Sequence, residues 1–291
     1  MPIEVMEIAG VKVTVESLGE ATPTLIFVHG GFCDRYDWDE QCRTLQREFG
    51  IVTFDLPGHG ESGLLPKDRG VDALEEVTAE IVKRKALGDT VLVGHSFGCR
   101  LALEALRKFP LRGRSDARIV GVGLIEGRLV SSTESEQVAA VLRQSDERLL
   151  QLLRKSFESN FVSSSEPVMR ERVMSRLENL DANRVRTLLR DTIAWDVERA
   201  QSAISVDLPV LVIQSTDTID STRRSLRPGQ QTEWTRLIAR TVVDHELLIV
   251  PDVGHFTQIE AAEEVNSAIA KFARRCADSN LRFRLNAGKK A

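Results

Sequence analysis

The sequence predicts an α/β fold: a mostly parallel β-sheet with helices on both faces, interrupted by a helical insertion. Two observations carry this. Short apolar runs alternate with amphipathic helical stretches, a pattern that calls for crossover connections and parallel strands. Residues 130–205 break the alternation, with helical runs but no good strand pattern. At 291 residues the chain fits one core domain plus such an insertion.

The elements follow in order. The first two strands, about Glu4–Ile8 and Val11–Val15, form a hairpin that turns at Ala9-Gly10. Thr24–Val28 reads as a buried strand and runs into His29-Gly30-Gly31-Phe32, whose glycines let the chain fold back and present a backbone N–H. Ile51–Phe54 is the next strand, and a tight loop from Asp55 to Ser62 leaves its end. Pro57, Gly58 and Gly60 hem in His59, so His59 and Asp55 are expected to organise this loop.

Val91-Leu-Val-Gly94-His-Ser96-Phe-Gly98 is the most informative stretch. An apolar strand enters it, and an amphipathic helix leaves it and reaches to Phe109. This is a G-x-S-x-G nucleophile elbow in its strand–turn–helix context. The turn strains the backbone at Ser96 and lifts its hydroxyl clear of the sheet, over a helix start that favours negative charge. Acyl transfer needs two N–H donors on the developing oxyanion. The expected donors are the amides of Gly31 and Phe97, with Phe32 the near alternative to Gly31 and a candidate to line the substrate pocket.

Ile119–Ile125 is a sixth strand, followed directly by Glu126-Gly127-Arg128. In the insertion, helical runs cover Glu147–Phe157, Pro167–Leu180 and Arg184–Trp195. Val210–Gln214 and Glu246–Val250 return to strand patterns, and a helix is expected over about Ile259–Ala273. Between the last strand and that helix stands Gly254-His255-Phe256. Of the five histidines, His29 and His95 lie inside motifs, His59 in its tight loop, and His245 before a strand. His255, on a loop late in the chain, has the position of a base in the order nucleophile, acid, base.

Together, His29–Phe32, Phe54–Ser62, Gly94–Gly98 and Gly254–Phe256 resemble the α/β-hydrolase fold superfamily over most of residues 1–128 and 205–276. The resemblance implies an eight-stranded, mostly parallel sheet. It divides the chain into a core of residues 1–129 and 206–291 and a helical cap, or lid, over 130–205 that shapes the substrate cavity. It also implies a third member of a catalytic triad, an acid that orients His255. The usual place is an aspartate in a Gly-x-x-Asp turn after the seventh strand. Here Ser215 stands at the glycine place, Thr218 three residues on, and Asp217 one residue early. Glu126, directly after the sixth strand, is the favoured acid, and Asp217 is the alternative. Ser221–Trp234 reads as a long basic loop at the same edge, open either to contact with an acidic substrate and closure of the pocket or to simple solvation.

A serine nucleophile excludes the dehalogenase and epoxide-hydrolase branches, whose intermediates are esters of an aspartate. Hydrolysis of a carboxylic ester through an acyl-enzyme is the expected reaction, with a small-molecule substrate and no metal or organic cofactor. Thioester, lactone, amide and carbon–carbon bond cleavage share the machinery. Cofactor-free oxygenases or lyases and non-enzymatic ligand receptors share the fold. A net charge of −4 gives no reason to propose nucleic acid or a membrane as partner, and neither a membrane span nor a leader is expected, which points to the cytoplasm. Oligomeric state is not specified. Cys33, Cys42, Cys99 and Cys276 lack metal-ligand spacing and read as reduced thiols. Reagents reaching Cys33 or Cys99, beside the two motifs, are expected to inhibit without either being catalytic. The basic tail from Arg282 is expected to fray.

Overall fold

A computed structural model describes residues 3–66, 69–108, 117–130, 132–219 and 222–288, with the side chains of 132, 133, 219, 222 and 279–288 excepted. Ten strands are described: β1 (Ile3–Ile8), β2 (Val11–Leu18), β3 (Thr24–Val28), β4 (Gly50–Phe54), β5 (Asp89–His95), β6 (Arg118–Ile125), β7 (Val210–Gln214), β8 (Thr216–Ile219), β9 (Thr222–Ser225) and β10 (His245–Ile249). Eight of them form one sheet in the order β1-β2-β4-β3-β5-β6-β7-β10. The hairpin β1–β2 and the pair β2–β4 are antiparallel, and every pairing from β4 to β10 is parallel. β2 runs three residues past its expected end because Glu16, Ser17 and Leu18 pair with Thr53, Val52 and Ile51 of β4.

The central strands are continuous apolar runs because both sheet faces are covered. Along β3, Ile26 and Val28 join one core and Leu25 and Phe27 the other. The first core packs under the helices Val71–Lys85 and Phe97–Lys108, the second under Asp39–Leu45 and Ala262–Gly288. Burying each Phe or Leu in these layers contributes about 1.5–3 kcal/mol. The same parallel arrangement aims the ends of β3, β5, β6 and β7 at one edge, where the loops of interest leave the sheet.

Among the described residues, five helices lie between β6 and β7: Ser132–Leu142, Asp146–Glu158, Pro167–Ser175, Ala182–Glu198 and Ala200–Ile204. The expected helix over Pro167–Leu180 ends at Ser175. There the chain tightens into turns, with Leu177 N–H on Met174 O, while Arg176 leaves the helix to pair with Asp34 at 2.7 Å and Asp37 at 2.8 Å. Buried Arg100 donates to both oxygens of Asp196 at 2.8 and 2.7 Å, and Trp195 Nε1 donates to Glu104 at 2.7 Å. The insertion is thus fastened to the core by paired, hydrogen-bonded charges as well as by buried apolar residues such as Leu188, Trp195 and Ile204.

Several boundaries differ from expectation. The last helical region breaks at Ala261, into Thr257–Glu260 and Ala262–Gly288, and the tail expected to fray continues that helix to Gly288. The helix after the elbow is described to Lys108; Phe109 lies outside the described residues. Ser221–Trp234 is not one loop. Thr222–Ser225 is β9, paired antiparallel with β8, and Trp234 is buried in the helix Glu233–Thr241; Ser221 lies outside the described residues. Among the described residues no helix is long and apolar enough to cross a membrane.

Candidate active site

The elbow between β5 and its helix places Ser96 at φ +52°, in the left-handed region that non-glycine residues rarely occupy. Its amide is fixed by Ile125 O at 2.8 Å. A β-carbon on Gly94 would overlap the Gly98 carbonyl, and one on Gly98 would overlap Val28 and His29, so the crossing of helix and strand requires glycine at both places. Beside the elbow, the loop after β3 puts Phe32 at φ +60°. Gly31 faces Phe97 so closely that a β-carbon there would sit 3.6 Å from Phe97 Cβ. The two expected donor residues are therefore neighbours.

His255 follows β10. Its amide donates to Asn160 O in the insertion at 2.8 Å, and its carbonyl accepts from His95 Nε2 at 2.9 Å, which fixes the loop from both sides. The ring spans Ser96 and Glu126: Nε2 lies 3.0 Å from Ser96 Oγ, and Nδ1 lies 3.0 Å from Glu126 Oε2. Glu126, itself at φ +54°, is buried at the end of β6. Its Oε1 accepts from the Ser215 amide, from Ser215 Oγ at 2.9 Å and from the Thr216 amide at 3.1 Å, and its Oε2 accepts from Thr216 Oγ1. Burial pushes the Glu126 carboxyl up, opposed by Arg223 and by these donors.

Asp217, the alternative acid, is placed elsewhere. Its carboxylate accepts the Thr218 amide at 2.8 Å within its own hairpin, and among the described residues it makes no bond to His255. The one-residue slip changes the side on which the side chain projects, because neighbours along β8 alternate faces. Ser215, at the glycine place, instead holds Glu126. Arg128 does not pair with Glu126; it pairs with Glu134.

The sequence reading missed Arg223. Its Nη1 lies 2.8 Å from His255 Nδ1, 2.9 Å from Thr216 Oγ1 and 3.9 Å from Glu126 Oε2. The available signal was the Thr-Arg-Arg-Ser run of β9: alternation sends one arginine inward and leaves Arg224 exposed. A guanidinium only donates, so Nδ1 serves its two neighbours in different states. Protonated, it donates to Glu126; unprotonated, it accepts from Arg223. Burial and then the Arg223 cation hold the His255 pKa well below the ordinary imidazole value of 6.5.

Two other histidines hold backbone groups near the site. His29 donates from Nδ1 to Gly30 O at 2.8 Å and accepts the Leu56 amide on Nε2 at 2.9 Å. His59 holds Pro57 O at 3.1 Å. Asp55 organises the loop as expected, accepting the Arg35 guanidinium at 2.5 Å and the Glu61 amide at 2.9 Å. All four cysteines are free, and burial pushes the Cys33 thiol well up and the Cys99 thiol up to about 12. Burial and protonation slow the reaction of both thiols with thiol reagents. Phe32 lines a cavity of about 640 Å³ between the loop after β4 and the helix Ala182–Glu198.

A model of the alpha/beta hydrolase family matches residues 25–268. The chain is 26% identical over 265 residues to the dihydrolipoyllysine-residue acetyltransferase component of the acetoin cleaving system of Pseudomonas putida, covering 88% of this chain and 65% of that protein. It is 25% identical over 252 residues to the (E)-2-((N-methylformamido)methylene)succinate hydrolase of Acinetobacter baylyi, covering 86% and 90%. A solved esterase from Thermogutta terrifontis superposes with a TM-score of 0.74 at 22% identity, covering 95% of this chain and 99% of that one.

Proposed function

The chain belongs to the alpha/beta hydrolase family, and from that premise we propose that it is a serine hydrolase that cleaves carboxylic esters of small molecules. The observation that carries the proposal is the hydrogen-bonded line Ser96–His255–Glu126, with both distances at 3.0 Å. Ser96 Oγ attacks the ester carbonyl while His255 Nε2 takes its proton. Nδ1–H donates to Glu126, which stabilises the imidazolium. The amides of Gly31 and Phe97 donate to the oxyanion. The imidazolium returns the proton to the leaving alcohol, and water then releases the acid from Ser96 by the same steps in reverse order of roles. The helical insertion acts as a cap over this edge. The line of three groups argues against a non-enzymatic receptor on the same fold. The test is a fluorophosphonate probe followed by peptide mass analysis: the adduct is expected on Ser96, and labelling elsewhere would refute the reading.

The acid is tested by two variants. Glu126→Gln is expected to lower kcat by ~100-fold or more, since an amide does not stabilise the imidazolium as a carboxylate does. Asp217→Asn is expected to cost ~10-fold or less. The comparison is kcat on one activated ester, with circular dichroism to check folding; the opposite ranking would transfer the role to Asp217.

The charge on Arg223 has a consequence for pH. The base must be neutral, and a lowered His255 pKa keeps it neutral below pH 6.5. The groups acting on the ring are Glu126, Arg223, His95 and Arg128. Activity should therefore persist into mild acid. Arg223→Met removes one cation and should move the acid limb of kcat/KM upward by ~0.5–1 unit. An unchanged or lowered limb would show that Arg223 does not bear on the base.

A further inference from the structure

The cavity between the loop after β4 and the cap helix Ala182–Glu198 starts beside the proposed oxyanion loop. Phe32 and Leu188 both line it, and Leu188 Cδ2 would lie 3.5 Å from a β-carbon on Gly31. Leu65, Leu74 and Val185 add apolar wall. At about 640 Å³ it has room for a small organic acid or ester.

Among the described residues, two side chains on this wall have a polar group without a protein partner. Arg184 is half-buried on the cavity side of its helix, and among the described residues its guanidinium has no carboxylate partner. The other charged groups on the wall are engaged: Arg69 pairs with Glu76 at 2.8 Å, and Asp181 accepts the Arg184 amide at 3.0 Å as the helix cap. His59 spends Nδ1–H on Pro57 O, which leaves Nε2 as a buried acceptor without a partner. A neutral, wholly apolar ester would bury both groups unsatisfied, and each unsatisfied group carries a desolvation cost. A carboxylate meets the guanidinium fork in its preferred two-bond geometry. One unpaired cation compensates one negative charge, which favours a carboxylate over a doubly charged phosphate.

We propose that this cavity takes an ester that carries a free carboxylate, with Arg184 as the counter-ion that selects it. The inference rests on the ester-hydrolase reading and names its substrate class. His59 Nε2 then accepts from a hydroxyl or N–H on the same substrate.

The test uses matched pairs of esters. One pair differs at the end of the acyl chain, carboxylate against methyl; the second differs in the same way at the end of the alcohol chain. In at least one pair the wild type should prefer the carboxylate by ~10-fold or more in kcat/KM, the scale of a charge-assisted hydrogen bond. Arg184→Gln should bring that ratio close to one, Arg184→Lys should restore part of it, and Arg184→Glu should turn the preference toward a chain ending in an ammonium group. Melting curves show that each variant is folded. No preference in either pair, or a preference that Arg184→Gln leaves intact, would overturn the inference while Ser96 labelling and ester turnover stand. Absence of both labelling and turnover would instead remove the hydrolase reading beneath it.

Discussion

Ser96→Ala is expected to lower kcat on an activated ester by about four orders of magnitude or more, with the fold intact. Ser96 Oγ is the hydroxyl hydrogen-bonded to His255 Nε2, the proposed base, at 3.0 Å. Its removal deletes the covalent route and leaves only what the backbone donors and binding contribute. The fold should tolerate the change because alanine keeps the β-carbon, and the strain at φ +52° is already present with serine. The elbow is held by backbone contacts, the Ser96 amide on Ile125 O and the Cys99 amide on Ser96 O, none of which uses the hydroxyl. The measurement is kcat with a melting curve. A folded Ser96→Ala that keeps turnover within ~10-fold would mean that Ser96 is not the nucleophile.

His255→Ala should cost a similar amount, because nucleophile and base act as one unit. Without the ring, Ser96 Oγ has no acceptor for its proton, and Glu126 loses the group it orients. The loop should keep its place, since His255 is tied to Asn160 O and to His95 through backbone atoms. The discriminating readout is the double variant. If the two residues work together, Ser96→Ala/His255→Ala is no slower than either single variant; if their losses multiply, they act independently and the proposed pairing is wrong. Glu126 is then left as a buried carboxyl beside Arg223, so a modest change in melting temperature is also expected.

Much of this molecule is written locally. The alternation of apolar strands with helical stretches predicts a parallel sheet, and the strands lie within a residue or two of the expected places apart from the longer β2 and the unforeseen hairpin β8–β9. Ser96, Gly94 and Gly98 are legible because the turn is a short-range object: five consecutive residues must avoid one another and the next strand, and few sequences can do so. Helix ends were less legible. Pro167–Ser175 stops early because Arg176 is drawn to Asp34 and Asp37, more than a hundred residues away in the chain.

The placement of the two candidate acids shows the same division sharply. Position alone left Glu126 and Asp217 both open, since each follows a strand that ends at the same edge. Only the tertiary structure aims them: Ser215 and Thr216 turn Glu126 toward His255 Nδ1, while Asp217 turns back on its own hairpin. For Arg223 the local signal, the Thr-Arg-Arg-Ser alternation, marks at most one inward arginine; that it meets His255 comes from the pairing of β8 with β9. Residue identity and short-range sterics determined which groups could react. Which of them meet was decided by strand register and side-chain direction, because a shift of one residue reverses the face on which a side chain projects.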